Sequence, residues 1–307
     1  MAECKETMIR RNAYLTRTAR SLALAALLAT TMASAGAAAD PTLDRNRELK
    51  DCATQAESDP AAAFESALRW EDKGGGDFAR LCQALALFHK GDFKAAGARM
   101  EQLAPLLGKD DPRAAASILA RGGWAWLRAG DQARAESLYS AALAKQPGDV
   151  DLLIDRAFAR AEGERFWDAI TDLDAALAQD PKRADAYLYR ASAHKALSNY
   201  RQALADIDRA LEEKPGDPEA ILLRGNVKAL SGSVGGARED WTLVIRLAPD
   251  SDSGRAAAVN LERAAKMTSV EKLPDQPPKP AEPSKTEPSK TEPLKTEPLK
   301  TDGPKSP

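Results

Sequence analysis

Arg156, Arg190 and Arg224 stand 34 residues apart, and 16 residues after each comes an aspartate: Asp172, Asp206 and Asp240. A guanidinium presents a planar fork that matches the edge of a carboxylate. The two columns could therefore pair with each other across two packed elements, or the arginines could form a ladder for an anionic ligand. One more step of the same spacing separates these readings. Going back 34 from Arg156 gives Gly122, and going back 34 from Asp172 gives Leu138, so both charges disappear together. That joint loss predicts structural ion pairs, Arg156 with Asp172, Arg190 with Asp206 and Arg224 with Asp240. The aspartates would also neutralise any anion ladder. A buried pair sets register and contact more than it adds net stability.

Catalytic chemistry finds little else to work with. His89 and His194 are the only histidines, and "KGGGDF" from Lys73 is a glycine loop with no strand before it. There is no G-x-S-x-G, no H-E-x-x-H and no phosphate-binding loop. The close carboxylates Asp172 and Asp174 lie on a helical repeat, where solvent or an arginine accounts for them. No catalytic residue, no cofactor and no metal is expected.

The elements that position these columns repeat as well. "AALAKQP", "AALAQDP", "RALEEKP" and "VIRLAP" end on Pro147, Pro181, Pro215 and Pro249, each 34 from the last. Within each unit a small residue (Gly123, Ala157, Ala191, Gly225) is followed by a second (Ala135, Ala169, Ala203, Ala237). Then comes a bulky residue (Tyr139, Leu173, Ile207, Trp241) and a third small or medium one (Ala142, Ala176, Ala210, Val244). Small residues let two antiparallel helices approach, bulky ones fill the gap, and proline stops the second helix. One unit is a helical hairpin that cannot bury its apolar faces alone, so units stack.

This pattern of small, small, bulky, small and proline resembles the tetratricopeptide repeat family. The resemblance implies an all-α, right-handed α-solenoid of helical hairpins. It covers residues 116 to 250 well, and "DFARLCQALALFHKGDFKAAGARMEQL" from Asp77 is a fifth, degenerate unit out of step with the 34-residue register. The expected organisation is N-terminal helices over 40–76, the solenoid over 77–250 and a solvent-facing capping helix over 251–268. The resemblance also places a binding groove on the concave face, at first-helix positions Trp124, Leu127, Ile154, Phe158, Leu188, Ser192, Leu222 and Asn226. Relatives that grip acidic C-termini use Lys, Arg and Asn there, and only Asn226 matches. An apolar groove suits a peptide held by side-chain burial, at roughly 1.5 to 3 kcal/mol per large anchor.

Both ends of the chain differ from its middle. Residues 1–39 run from Arg10, Arg11, Arg17 and Arg20 through a small, uncharged stretch to Ala37, Ala38 and Ala39, the layout of a secretory signal peptide. An uncleaved anchor is the rival, although a span wants about 20 strongly apolar residues and this stretch is diluted by Ala, Ser, Thr and Gly. Export, periplasmic in destination, leaves Cys52 and Cys82 in an oxidising compartment. They are expected to form a structural disulfide worth roughly 3 to 4 kcal/mol. Residues 269–307 hold "EPSKTEPSKTEPLKTEPLKT", with ten of the 19 prolines between Pro274 and Pro307. Proline at every fifth place blocks helix, so a disordered tail is expected.

Charge narrows the partners. Residues 1–39 hold five of the 44 basic and two of the 46 acidic residues, so the remainder carries 39 against 44, a net of −5. That disfavours nucleic acid and, once the signal is removed, a membrane surface. The expectation is a non-catalytic protein-interaction scaffold of the cell envelope that binds another protein or peptide. An accessory subunit of an envelope enzyme system is the alternative, as is a membrane-anchored organiser if the signal is kept. Oligomeric state is left open.

Overall fold

The computed structural model describes residues 41–271, and the expected signal peptide and all but the first three residues of the expected tail lie outside them. The fold is all-α. Thirteen α-helices follow one another among the described residues: α1 (Pro41–Ser58), α2 (Pro60–Trp70), α3 (Gly76–Lys90), α4 (Phe93–Leu107), α5 (Pro112–Arg128), α6 (Gln132–Lys145), α7 (Val150–Glu162), α8 (Phe166–Gln179), α9 (Ala184–Ala196), α10 (Tyr200–Glu213), α11 (Pro218–Leu230), α12 (Val234–Leu247) and α13 (Asp252–Glu271). They pack as antiparallel hairpins, α3 with α4 through α11 with α12, each against the next.

Local chemistry sets these boundaries. Asp59, Asp92, Asp111, Asp131, Asp149 and Asp217 cap helix N-termini by accepting from backbone N–H groups two or three residues on. Pro60, Pro112 and Pro218 occupy the first helical turn, where the missing N–H costs nothing. Every hairpin turn closes alike. The residue at 91, 130, 164, 198 or 232 is left-handed, and the next N–H reaches back five residues, as from Asp131 to the Trp126 carbonyl. Glycine fills three of those five places, whereas Glu164 and Ser198 hold φ of 60° with a side chain attached.

The 34-residue period is exact in the helix starts, since Val150, Ala184 and Pro218 are followed by Asp252. Helix α13 thus begins where the first helix of another unit would. The expectation of a solvent-facing cap is corrected on one face: Ala257 and Ala264 are buried against Ile221, Leu222, Trp241 and Val244. The Gly-rich stretch expected as a loop is also different. Residues Glu71–Gly75 form a π-helical turn between α2 and α3, broken at Gly74, whose φ is 93°.

Packing explains one covariation between columns. A Cβ on Gly123 would meet the Tyr139 ring at 3.0 Å, and one on Gly225 would meet Trp241 at 2.7 Å. Where the facing residue is Leu173 or Ile207 instead, the small residue is Ala157 or Ala191, buried to 1% exposure or less. Ring and glycine share the volume that aliphatic side chain and alanine share elsewhere, as close packing requires.

Candidate functional site

The arginine and aspartate columns meet across each hairpin. Arg156 donates to Asp172 through Nε and Nη2 at 2.9 and 2.7 Å, Arg190 to Asp206 at 2.9 and 2.6 Å, and Arg224 to Asp240 at 3.0 and 2.7 Å. The aspartates are only 2%, 6% and 4% exposed. Their hydrogen bonds raise the arginine pKa values above the usual range, against the burial that lowers them. The remaining guanidinium nitrogen turns to the preceding unit, where Arg156 meets Ser140 at 3.2 Å, Arg190 meets Asp174 at 2.5 Å and Arg224 lies 3.9 Å from Asp208. Each fork therefore ties three helices together.

A second basic column sits one turn further along the first helices, at 160, 194 and 228. Arg160 donates to Asp172 at 2.7 Å and Lys228 contacts Asp240 at 2.8 Å. The middle unit has His194, whose Nδ1 is buried without a hydrogen-bond partner. Burial pushes its pKa down, with Arg190 adding to the shift and Asp206 and Asp174 opposing it.

Cys52 and Cys82 are joined, with Cα atoms 5.9 Å apart across a separation of 30 residues. Their bond ties α1 to α3 beside Ala67 and Trp70.

The apolar side chains of the first helices enclose a cavity of about 150 Å³. Phe158 from α7, Leu188 and Ser192 from α9, and Leu222 and Asn226 from α11 all line it. Helix α13 adds Asp252, Ser253 and Ala256. The Phe158 ring stands 6.4 Å from Trp124 and 6.1 Å from Tyr189, so aromatic contacts run through three consecutive units.

Among the described residues, no three His, Cys, Asp or Glu side chains are grouped as metal ligands would be. Nor is any described helix long and apolar enough to cross a membrane.

The tetratricopeptide repeat family profile matches residues 154–218 and 190–252, the same stretch in which these columns lie. This part of the chain is built of tetratricopeptide repeats. Among solved structures, the C-terminal part of a tetratricopeptide repeat-containing protein from Cytophaga hutchinsonii is similar, with a TM-score of 0.56 at 15% identity over 76% of this chain and 99% of that one. MamA is similar with a TM-score of 0.48 at 18% identity, over 57% of this chain and 92% of its own. YrrB, described as a tetratricopeptide-repeat protein with an unusual peptide-binding site, gives 0.46 at 18% identity over 64% and 98%. At these identities the likeness is one of fold. No curated protein matches the sequence.

Within the repeat frame, three of the eight expected groove positions fall elsewhere. Ile154 is 0% exposed and belongs to the continuous core, so it has no surface to offer a ligand. Trp124 and Leu127 are half-buried, pack against that core and do not line the cavity. Asn226 does line it, but its side-chain oxygen accepts from Trp241 Nε1 at 3.0 Å and Asn260 Nδ2 at 2.9 Å, which fixes α12 and α13 to α11. Tyr189 and Leu223 line the cavity and were not among the expected residues. Each stands next to an expected position, Leu188 or Leu222, at the same spacing of 34, and that spacing is the sequence signal for them.

Proposed function

We propose that this protein is a non-catalytic interaction scaffold of the cell envelope that holds a partner peptide in the apolar groove on the first helices of its repeats. The observation that carries the reading is the cavity itself. Phe158, Leu188 and Leu222 come from three successive units and converge on one space of about 150 Å³, where a partner side chain gains burial without a charged clamp to satisfy. An accessory role beside an envelope enzyme is the second reading. It shares the groove and differs only in what is bound.

The test is affinity capture from an envelope fraction with the exported protein, run beside a variant carrying Phe158→Ala and Leu188→Ala that keeps its helix content by circular dichroism. A partner held by the unaltered chain and lost by the variant supports the groove. Retention by the variant refutes it.

A further inference from the structure

We propose that the Cys52–Cys82 bond is a thiol-exchange site, at which a dithiol protein reduces the bond and so releases α1 from the array. The observations that carry this are independent of the groove. Both cysteines line a second cavity, of about 350 Å³, whose walls also include Glu48, Asp51, Trp70 and Lys73. Cys52 is 8% exposed and Cys82 only 1%, so a thiolate entering the cavity meets Cys52 first. Cys82 Sγ lies 4.0 Å from the Ala63 carbonyl oxygen, an acceptor that a disulfide sulfur cannot use and a thiol can.

The two helices joined by the bond are held very unequally. Helix α3 buries Leu81, Ala84, Leu85 and Ala86 besides Cys82, and it packs against α2 and α4 as well as α1. Between Asp44 and Ser58, α1 buries only Cys52 and Ala56. So little apolar burial is small against the conformational entropy of ordering an 18-residue helix, and the cross-link supplies what packing does not. A single residue, Asp59, separates α1 from α2 and gives the hinge.

In the exchange, one thiolate of the dithiol attacks Cys52 Sγ along the S–S axis. The S–S electron pair leaves on Cys82 Sγ, which takes a proton and donates to the Ala63 carbonyl. The second thiolate of the dithiol then attacks the dithiol's own sulfur in the mixed disulfide, and Cys52 leaves and is protonated in turn. Two electrons and two protons pass to this chain, and the dithiol becomes a disulfide. Helix α1 is then free to swing away, which opens the seam where Cys52 packs beside Ala67, Cys82 and Trp70.

The test starts from the chain of residues 40–307 produced in an oxidising compartment, mixed with a C-x-x-C dithiol protein whose second cysteine is replaced by serine, so that the mixed disulfide is trapped. Mass mapping should find the adduct on Cys52, with Cys82 a free thiol. An adduct on Cys82, or no adduct, overturns the site. After reduction by the intact dithiol protein, amides of residues 44–58 should exchange about 100-fold faster than in the oxidised chain, whereas those of α5 to α12 should change by less than about twofold. Unchanged protection of α1 after full reduction would mean that packing alone holds the helix, which overturns the release. Loss of protection throughout the array overturns it as well, because the bond would then hold the whole fold. Cys52→Ala combined with Cys82→Ala should reproduce the reduced pattern with no reductant present, and a protected α1 in that variant counts against the release in the same way.

Discussion

Replacing Asp206 by alanine probes the middle rung of the ion-pair ladder. Asp206 is 6% exposed and accepts two hydrogen bonds from Arg190, whose side chain is 21% exposed. Removing one partner of a buried pair costs about 3 to 5 kcal/mol because the other charge is left without compensation. Here Arg190 keeps Asp174 at 2.5 Å and reaches some solvent, so the loss belongs at the lower end, about 3 kcal/mol. The matched control is Asp208→Ala, on the same helix but 63% exposed and 3.9 Å from Arg224, for which at most about 1 kcal/mol is expected. Urea unfolding followed by circular dichroism measures both, and amide exchange in α9 and α10 locates the loss, since a stacked array can open locally. The double change Arg190→Met with Asp206→Leu should recover most of the stability, because replacing both charges removes the desolvation cost along with the pair. Similar, negligible losses in Asp206→Ala and Asp208→Ala would refute the buried pairing. Failure of the double variant to recover would show that the pair contributes net stability beyond register.

Three further outcomes follow from particular positions. A chain of residues 40–307 produced in an oxidising compartment should have an intact mass two hydrogens lighter without reductant than with it, and Cys52→Ser should cost roughly 3 to 4 kcal/mol for a closed loop of this length; two free thiols in the unreduced protein would remove the disulfide. Ser198→Gly should stabilise by about 1 kcal/mol, because a side chain at φ of 60° is strained where the turns at Gly130 and Gly232 are not; an unchanged urea midpoint would argue that the turn relaxes. His194 has its pKa held below the usual 6.5 by burial, so the unfolded chain takes up its proton first as pH falls. Stability should therefore decline as pH drops through about 6.5 and level off below the folded pKa. His89 is shifted the same way by its own burial, so His194→Lys, which copies Lys228, should reduce that acid slope without abolishing it. A slope equal to that of the unaltered chain would show that His194 does not contribute.

What the sequence made legible was whatever the repeat wrote more than once. The 34-residue columns located the hairpins, and the joint absence of charge at Gly122 and Leu138 pointed to the contacts that Arg156, Arg190 and Arg224 make in the structure. Periodicity works there because each contact lies within one unit, between positions a fixed 16 residues apart. The groove is harder, because its surface depends on how neighbouring units stack. Ile154, Leu188 and Leu222 share a column and a chemistry, yet Ile154 is sealed in the core while the other two line the cavity. Nothing in a column of aliphatic residues records which member its neighbours cover.

The same reasoning explains why the sequence of α13 predicts a solvent-facing helix. Its sequence "SGRAAAVNLERAAKM" is rich in alanine and charge, and alanine at Ala257 and Ala264 shows little hydrophobic bulk. Its role comes from phase instead: Asp252 starts in step with Val150, Ala184 and Pro218, so the helix arrives where a next unit would place its first helix. There small alanines permit close approach to Trp241 and Leu222, and Asn260 reaches the Asn226 oxygen that Trp241 also uses. The capping helix thus covers the open apolar end of the last repeat and supplies one wall of the cavity, with Asp252, Ser253 and Ala256. Solenoid closure and groove shape are therefore set by one element, and a substitution such as Ala257→Leu, which overfills the α13 contact, should lower stability by about 1 to 3 kcal/mol. In the same variant, capture of the partner held by the unaltered chain should weaken although Phe158 and Leu188 are unchanged, because α13 lines the same cavity. Loss of stability with unchanged partner capture would show that the wall and the cap are independent.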